Sequence, residues 1–133
     1  MANHEPSPSR QRTLALQKRS FEFTCAVIGA YPNGRLDDPS REVWRQLVRA
    51  TSSSTFNLEE ADAASSDADF LAKMRISTRE AKEAHVAIRI IAHCKLAAHE
   101  RAARLRDEAD QLAAILFTIV KNREENRERR RNC

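Results

Sequence analysis

The sequence predicts an all-α protein, folded as an antiparallel up-down-up-down four-helix bundle with long helices and short loops. The 133 residues include only two glycines and four prolines, and every proline precedes residue 40, so nothing beyond Pro39 interrupts a long helix. Apolar residues recur at spacings of three and four in four segments, and no strand-like alternation is present. The segments span 9–31, 39–62, 67–95 and 98–126. Their short connections make sequential helices antiparallel neighbours.

The first predicted helix is apolar around much of its circumference. One face carries Leu14, Phe21, Cys25 and Ile28, and the adjoining face carries Leu16, Phe23, Val27 and Ala30. This arc is wider than one bundle core requires, and surplus apolar surface often marks an interface. We therefore predict that the helix contacts other copies of the chain, with Leu16, Phe23 and Val27 as candidate interface residues. Residues 1–8 before the helix are predicted to be flexible.

The second predicted helix begins after the turn sequence Pro32-Asn33-Gly34. Asp38 is predicted to cap it, with Pro39 at the first helical position, where a missing N–H costs nothing. Its inward face is marked by residues at spacings of three and four: Val43, Leu47, Ala50, Ser54, Leu58 and Ala61. This stripe predicts an amphipathic helix that packs on one side.

The third predicted helix has the most regular pattern of the four. Its seam residues alternate at spacings of four and three: Phe70, Met74, Ser77, Ala81, Ala84, Ile88, Ile91 and Lys95. The small residues at the middle of this seam predict a close approach of a neighbouring helix. The fourth helix is predicted to fray after Val120, and residues 127–133 are predicted to form a flexible basic tail.

One segment of the second helix supports a family resemblance. Residues 46–61, QLVRATSSSTFNLEEA, resemble the signature QLRRAAxSIPxNIAEG of a small bacterial four-helix-bundle family encoded within intervening sequences of 23S ribosomal RNA genes. The matching residues are Gln46, Leu47, Arg49, Ala50, Ser53, Asn57 and Glu60. Thr55 replaces the proline of the signature and Ala61 replaces its glycine. Both replacements favour a straighter, longer helix, whereas the family pattern predicts a bend after Asn57.

The resemblance extends from about residue 14 to residue 120 and implies a four-helix bundle that assembles as a cup- or barrel-shaped homopentamer. It also implies a relationship to the accessory proteins of diversity-generating retroelements, which are thought to engage nucleic acid and reverse transcriptase. These properties are expectations taken from the family resemblance.

The residues needed for catalysis or metal binding do not occur in suitable patterns. Three widely spaced cysteines, Cys25, Cys94 and Cys133, provide neither a disulfide framework nor zinc-ligand spacing. No histidine has a glutamate three residues before it, as a di-iron bundle site requires. Glu80 and Glu83 with His85 nearby are interpreted as a solvated acidic face. We therefore predict a protein that is not an enzyme and binds neither cofactor nor metal.

Basic residues are concentrated at the two ends of the chain. Residues 1–20 have four basic side chains against one acidic, and residues 121–133 have six against three. Arg41, Arg45 and Arg49 follow each other at i, i+4 and i+8, so they share one helix face that is suited to phosphate contacts. Trp44, beside them, is a candidate for stacking on an exposed base. The alternative is that Trp44 anchors the core or an interface, and that the arginines pair with acidic groups across a subunit boundary.

The sequence thus predicts a non-enzymatic oligomeric scaffold that is associated with nucleic acid. Three C-terminal arginines, Arg129, Arg130 and Arg131, are predicted to add a flexible, non-specific contribution to RNA or DNA binding. The alternative function is a purely protein-binding or structural oligomer with no nucleic-acid role. No apolar run approaches the ~20 residues of a membrane span, and the N-terminus has no apolar signal region. A cytoplasmic protein without a membrane partner is expected.

Overall fold

A computed structural model describes residues 4–133 and confirms the antiparallel four-helix bundle. The helices are α1 (Pro8–Ala30), α2 (Asp38–Asp62), α3 (Asp67–His93) and α4 (His99–Arg131). Helices that follow each other in sequence pack side by side, and α2 and α3 form the most extensive contact. Helices α1 and α4 close the bundle only lightly. In the part of the chain described, no helix is long and apolar enough to cross a membrane.

The helix starts differ slightly from the predicted ones. The cap of α2 is Asp37, whose carboxylate accepts a hydrogen bond of 2.8 Å from the backbone N–H of Ser40. The prediction of Asp38 as the cap was therefore wrong by one residue. Pro39 is consequently the second residue of the helix and not the first. Backbone N–H groups in the first turn have no partner within the helix, so the first and second positions accommodate proline equally well.

Helix α2 continues without interruption across Asn57 to Asp62. The residue at the signature's proline position explains part of this continuity. Thr55 keeps its backbone N–H for the helix, and its hydroxyl reaches α1, 2.7 Å from the Ser20 hydroxyl and 2.8 Å from that of Thr24. Helices α1 and α2 are thus joined by a buried hydroxyl cluster at this level.

The prediction that residues 127–133 form a flexible tail was wrong, because α4 extends to Arg131. Ion pairs to the start of α3 support the extension: Arg123 lies 2.9 Å and Arg130 3.2 Å from the two carboxylate oxygens of Asp67. Three arginines also occupy the last turn, where cations interact favourably with the helix dipole. The helix therefore continues without apolar periodicity, since charge contacts replace packing.

The core lies between the four helices in two clusters. One cluster surrounds Trp44 and Val27, both fully buried, near the loop that joins α1 to α2. The other surrounds Leu71 and Leu116 at the opposite end. Six of the eight predicted seam residues of α3 are buried, which confirms the seam: Met74, Ser77, Ala81, Ala84, Ile88 and Ile91. The exceptions are Phe70, which is partly buried, and the exposed Lys95 beyond the helix end.

The predicted close approach at the middle of α3 is also confirmed. The Ser77 hydroxyl donates to the backbone carbonyl of Ser54 at 2.7 Å, and the Ser54 hydroxyl donates to the carbonyl of Ser77 at 2.9 Å. Two side chains that each reach the other helix's backbone require small residues on both sides. This reciprocal pair is a direct α2–α3 link inside the bundle.

Candidate functional site

The outer face of α1 exposes large apolar side chains to solvent. The exposed fractions are 39% for Leu14, 59% for Phe21 and 53% for Ile28, and Cys25 is exposed between them. We call these four residues the α1 outer stripe. Between Phe21 and Gly34 the only charged residue is Glu22. The stripe is therefore a continuous apolar surface from Phe21 to Ile28, whereas Lys18 lies between Leu14 and Phe21 on the same face.

The prediction of Leu16, Phe23 and Val27 as interface residues was wrong, because all three lie on the inward side of α1. Phe23 and Val27 are core residues, only 7% and 0% exposed, and Leu16 is partly buried against both core clusters. The inward face also contains Ser20 and Thr24, which bond to hydroxyls of α2. A helix with polar residues inside and apolar residues outside shows no one-sided pattern, so periodicity alone could not distinguish its two faces.

The α1 outer stripe shares one face of the bundle with the arginines of α2. The hydroxyl contacts that join Ser20 to Thr55 fix the register of the two helices, and the next residue on each, Phe21 and Phe56, is exposed. Phe56 is 65% exposed. Nearer the α1–α2 loop, a shallow depression of about 540 Å³ is lined by Ile28, Tyr31 and Val48 together with the polar side chains of Glu42, Arg45, Gln46 and Arg49. Apolar groups, two arginines and one carboxylate therefore lie side by side here.

Two of the three arginines have partners within the chain. Arg41 lies 3.0 Å from the Asp38 carboxylate and also donates to the backbone carbonyl of Leu36 at 3.0 Å. Arg49 reaches across to Glu80 and Glu83 on α3, at 3.8 and 3.5 Å. Within residues 4–133, Arg45 has no carboxylate partner. The phosphate-binding role of the three stays a prediction, and Arg49 has a second role in joining α2 to α3.

The carboxylate beneath Arg49 is unusual because it is buried. Glu80 is 7% exposed, and its Oε2 atom has no hydrogen-bond partner among residues 4–133. Desolvation raises the pKa of Glu80 above its ordinary value, and the neighbouring Glu83 raises this pKa further. Arg49 and Arg79 oppose the rise. The Arg49–Glu80 ion pair therefore joins α2 to α3 at some electrostatic cost.

The predicted base-stacking role of Trp44 was wrong. Its side chain is 0% exposed and meets the ring of Tyr31 edge to face, with centroids 5.8 Å apart. The reason is helix geometry: Trp44 lies four residues after the buried Ser40 and three before the buried Leu47, so all three face inward. Trp44 anchors the core, as the alternative interpretation holds.

The two predicted basic groups do not form one surface. Arg129, Arg130 and Arg131 lie at the end of the bundle where α3 begins, whereas Arg41 and Arg45 lie at the other end of α2. The 25 residues of α2 separate these ends by roughly 35 Å along the bundle axis. A single phosphate chain that touches both sets must run along most of the molecule.

No cluster of catalytic or metal-binding groups emerges in the part of the chain described. Among residues 4–133, no three His, Cys, Asp or Glu side chains approach closely enough to hold a metal ion. The Nε2 atom of His85 points to Asp110 on α4 at 3.8 Å, away from a site with Glu80. All three cysteines are free and exposed.

A cleft that no sequence pattern predicts lies at the far end of the bundle, between α1 and α4. The cleft has a volume of about 750 Å³, and side chains from all four helices line it. Its apolar walls comprise Leu16, Leu58, Phe70, Met74, Ile115 and Ile119. Arg12 and Arg123 lie at its rim together with Asp62 and Asp67. Leu16 is a predicted interface residue, and Leu58, Phe70 and Met74 belong to predicted inward faces, so the sequence pattern contains no sign of a gap between α1 and α4.

The geometry defines an antiparallel four-helix bundle with an apolar and cationic face and an open cleft. The 23S rRNA-intervening sequence protein family matches residues 12–118, so the chain belongs to that family. A crystal structure of a protein of unknown function from the S23 ribosomal protein family of Bacteroides thetaiotaomicron VPI-5482 has a similar fold, with a TM-score of 0.72 and 22% identity. The similarity covers 82% of this chain and 97% of that one. None of the curated proteins compared matches the chain.

Proposed function

We propose that this protein is a non-enzymatic scaffold that self-associates through the face formed by α1 and α2. The observation that supports this is the α1 outer stripe, in which Phe21 and Ile28 are each more than half exposed although the inward side of the helix is already packed. Contiguous apolar surface of this kind on a water-exposed helix marks an interaction site. Phe56 extends the surface onto α2.

A second copy of the same chain is the partner that fits this face best. From Phe21 to Ile28 the stripe itself contains no charged residue, so burial of this part removes little charge from water, and apolar, aromatic-rich patches are typical of homo-oligomer interfaces. The arginines of α2 beside the stripe would form a polar rim. The family resemblance favours a closed homopentamer.

Light scattering tests this assembly. We expect the parent protein at micromolar concentration to have a mass several times 15.1 kDa, and a Phe21→Glu/Ile28→Glu variant to move towards the mass of one chain. A Val86→Glu/Phe117→Glu variant is the matched control, because it adds the same charge at exposed apolar residues of α3 and α4. A parent mass near 15.1 kDa, or dissociation by the control alone, would contradict the proposal.

Contact with nucleic-acid backbone is a second candidate function. Arg45 is favoured for it because this side chain is exposed and has no carboxylate partner within the part of the chain described, and Arg41 lies one turn away on the same helix face. A ring of subunits repeats such a weak basic patch, so modest contacts add up through avidity. The formal net charge of +4 acts in the same direction.

A further inference from the structure

We propose that the cleft between α1 and α4 binds one long-chain amphiphile, with its alkyl chain among the apolar walls and its anionic head at Arg12. The cleft lies at the end of the bundle opposite Arg41 and Arg45, where only the Leu14 end of the α1 outer stripe comes near it. The inference does not depend on self-association. It assigns a small-molecule site to a region that neither the sequence pattern nor the family identifies.

The shape of the cleft suits a small molecule. Its volume of about 750 Å³ falls within the ~300–1,000 Å³ that is typical of ligand pockets. Its walls continue the core cluster around Leu71 and Leu116, so the bundle interior is accessible from solvent at this point. At one end the Arg123 guanidinium stacks over the Phe70 ring, 4.4 Å from its centroid. A bound apolar chain would complete core packing that α1 and α4 leave unfinished.

The charges at the rim favour one anionic head. Asp62 is paired with Arg10 through bonds of 2.6 and 2.7 Å. Asp67 is paired with both Arg123 and Arg130. Arg12 is exposed, and within residues 4–133 it has no carboxylate partner. Because both rim aspartates are already neutralised, Arg12 is left to donate two parallel hydrogen bonds to an incoming carboxylate or similar head.

Hydroxyl groups in the cleft lining offer a second contact to the anionic head. Three serines and one threonine line the cleft, and two of these hydroxyl groups have partners: Ser66 caps α3, and Thr13 donates to the backbone carbonyl of Ser9. The Ser9 hydroxyl makes no hydrogen bond among the residues described. Ser65, in the α2–α3 loop, makes no hydrogen bond within the part of the chain described. It is therefore available to donate to the same anionic head.

A partner helix fits the cleft less well than an alkyl chain. The opening runs along α4 from Ile115 to Arg123, about 12 Å at the rise of an α-helix. A helix ~10 Å wide and of that length fills roughly 900 Å³, which exceeds the space present. An extended alkyl chain is much thinner and contacts the walls on all sides. The dimensions therefore favour the amphiphile.

Calorimetric titration of the full chain with dodecanoate, below its micelle concentration, tests the site. We expect saturable binding of one molecule per subunit and a rise in Tm when it is bound. Arg12→Gln should weaken binding about tenfold by removing a charge-assisted contact. Thr13→Trp should abolish binding by filling the cleft, and Arg45→Gln, which removes an unpaired arginine at the other end of the bundle, should leave it unchanged.

Several outcomes would overturn the proposal. These are no saturable binding to the parent, equal affinity for uncharged dodecanol, or full binding by Thr13→Trp with unchanged helical content. Equal loss of affinity in Arg12→Gln and Arg45→Gln would show non-specific adsorption. Ser65→Trp, in the loop, fills the same cleft without altering a helix and replaces Thr13→Trp if that variant does not fold. A drop in assembled mass caused by either tryptophan, without dodecanoate binding to the parent, would identify the cleft as a contact between copies.

Discussion

Arg49 and Glu80 show how a single signature residue contributes to the fold. Arg49 lies on the exposed side of α2, yet its guanidinium reaches two carboxylates of α3. One of them, Glu80, is buried, and removing a carboxylate from water is costly unless its partners compensate. The pKa of Glu80 is raised by desolvation first and by Glu83 second, so the compensation is incomplete. The pair orients α2 against α3 at some cost in stability.

Glu80→Gln is therefore expected to stabilise the protein at neutral pH, by on the order of 1 kcal/mol. Because the folded protein holds the proton of Glu80 more tightly than the unfolded chain does, the stabilising effect of protonation is complete below the ordinary pKa of 4.5 and is lost as pH rises through the folded-state pKa. The advantage of the variant should accordingly shrink as pH falls towards 4.5. Urea denaturation at several pH values measures this.

Glu83→Gln is the control for this measurement, since the Glu83 side chain is 49% exposed and its charge remains hydrated. Its effect on the free energy of unfolding should be smaller than that of Glu80→Gln. If Glu80→Gln were less stable than the parent at pH 7, the attraction of Arg49 would outweigh desolvation, and the assignment of the dominant cause would be wrong.

At the scale of the helix, the α2–α3 contact depends on small residues. Ser77 is 0% exposed, and its hydroxyl and that of Ser54 each donate to the backbone of the opposite helix. Ser77→Leu adds three carbons at the closest approach and removes the hydrogen bond that the Ser77 hydroxyl donates, so we expect a loss of about 2–3 kcal/mol in the free energy of unfolding. Ser77→Ala keeps the close approach and should lose about 1 kcal/mol. Equal stability of the two variants in urea would show that the helices have room to separate.

The elements differ in how far the sequence determines them, for physical reasons. The seam of α3 could be predicted because its apolar residues face one direction and its outward residues are mostly charged. On α1 the inward Ser20 and Thr24 are polar and the outward Phe21 and Ile28 are apolar, so the correct face could not be chosen. The end of α4 was missed for a related reason, because ion pairs to Asp67 extend it without any apolar pattern.

At the scale of the whole molecule, the two proposed binding surfaces differ in position and composition. The α1–α2 face combines the apolar stripe with Arg45, whereas the cleft lies at the other end of the bundle. The sequence indicated the first surface, because the exposed apolar residues of α1 share one helix face, but the predicted interface residues lie on the inward face. It could not indicate the cleft, since a gap between α1 and α4 depends on how two distant helices diverge. The proposed assembly face and the proposed ligand site therefore use different side chains of α1.

The final prediction concerns nucleic acid. If the α1–α2 face contacts phosphates, Arg41→Glu/Arg45→Glu should weaken binding to structured RNA and to duplex DNA alike, because backbone contacts carry no sequence information. Loss of two phosphate contacts should also flatten the slope of log affinity against log salt by roughly 1.5–2. Gel-shift titrations across ionic strengths measure both quantities, and far-UV circular dichroism should be unchanged because both residues are exposed.

Two further variants complete the test. Lys82→Glu/Arg89→Glu makes the same change in net charge on the outer side of α3, at two exposed residues, and should retain most of the affinity. Truncation after Glu125 removes the last arginines at the opposite end of the bundle, roughly 35 Å from Arg41 and Arg45. If the truncation abolished binding while Arg41→Glu/Arg45→Glu left it intact, the end of α4 would be the nucleic-acid surface. If neither change altered binding, or if the parent bound no nucleic acid, the scaffold would act through protein contacts alone, because the arginines of α2 would then serve only as the rim of the assembly face.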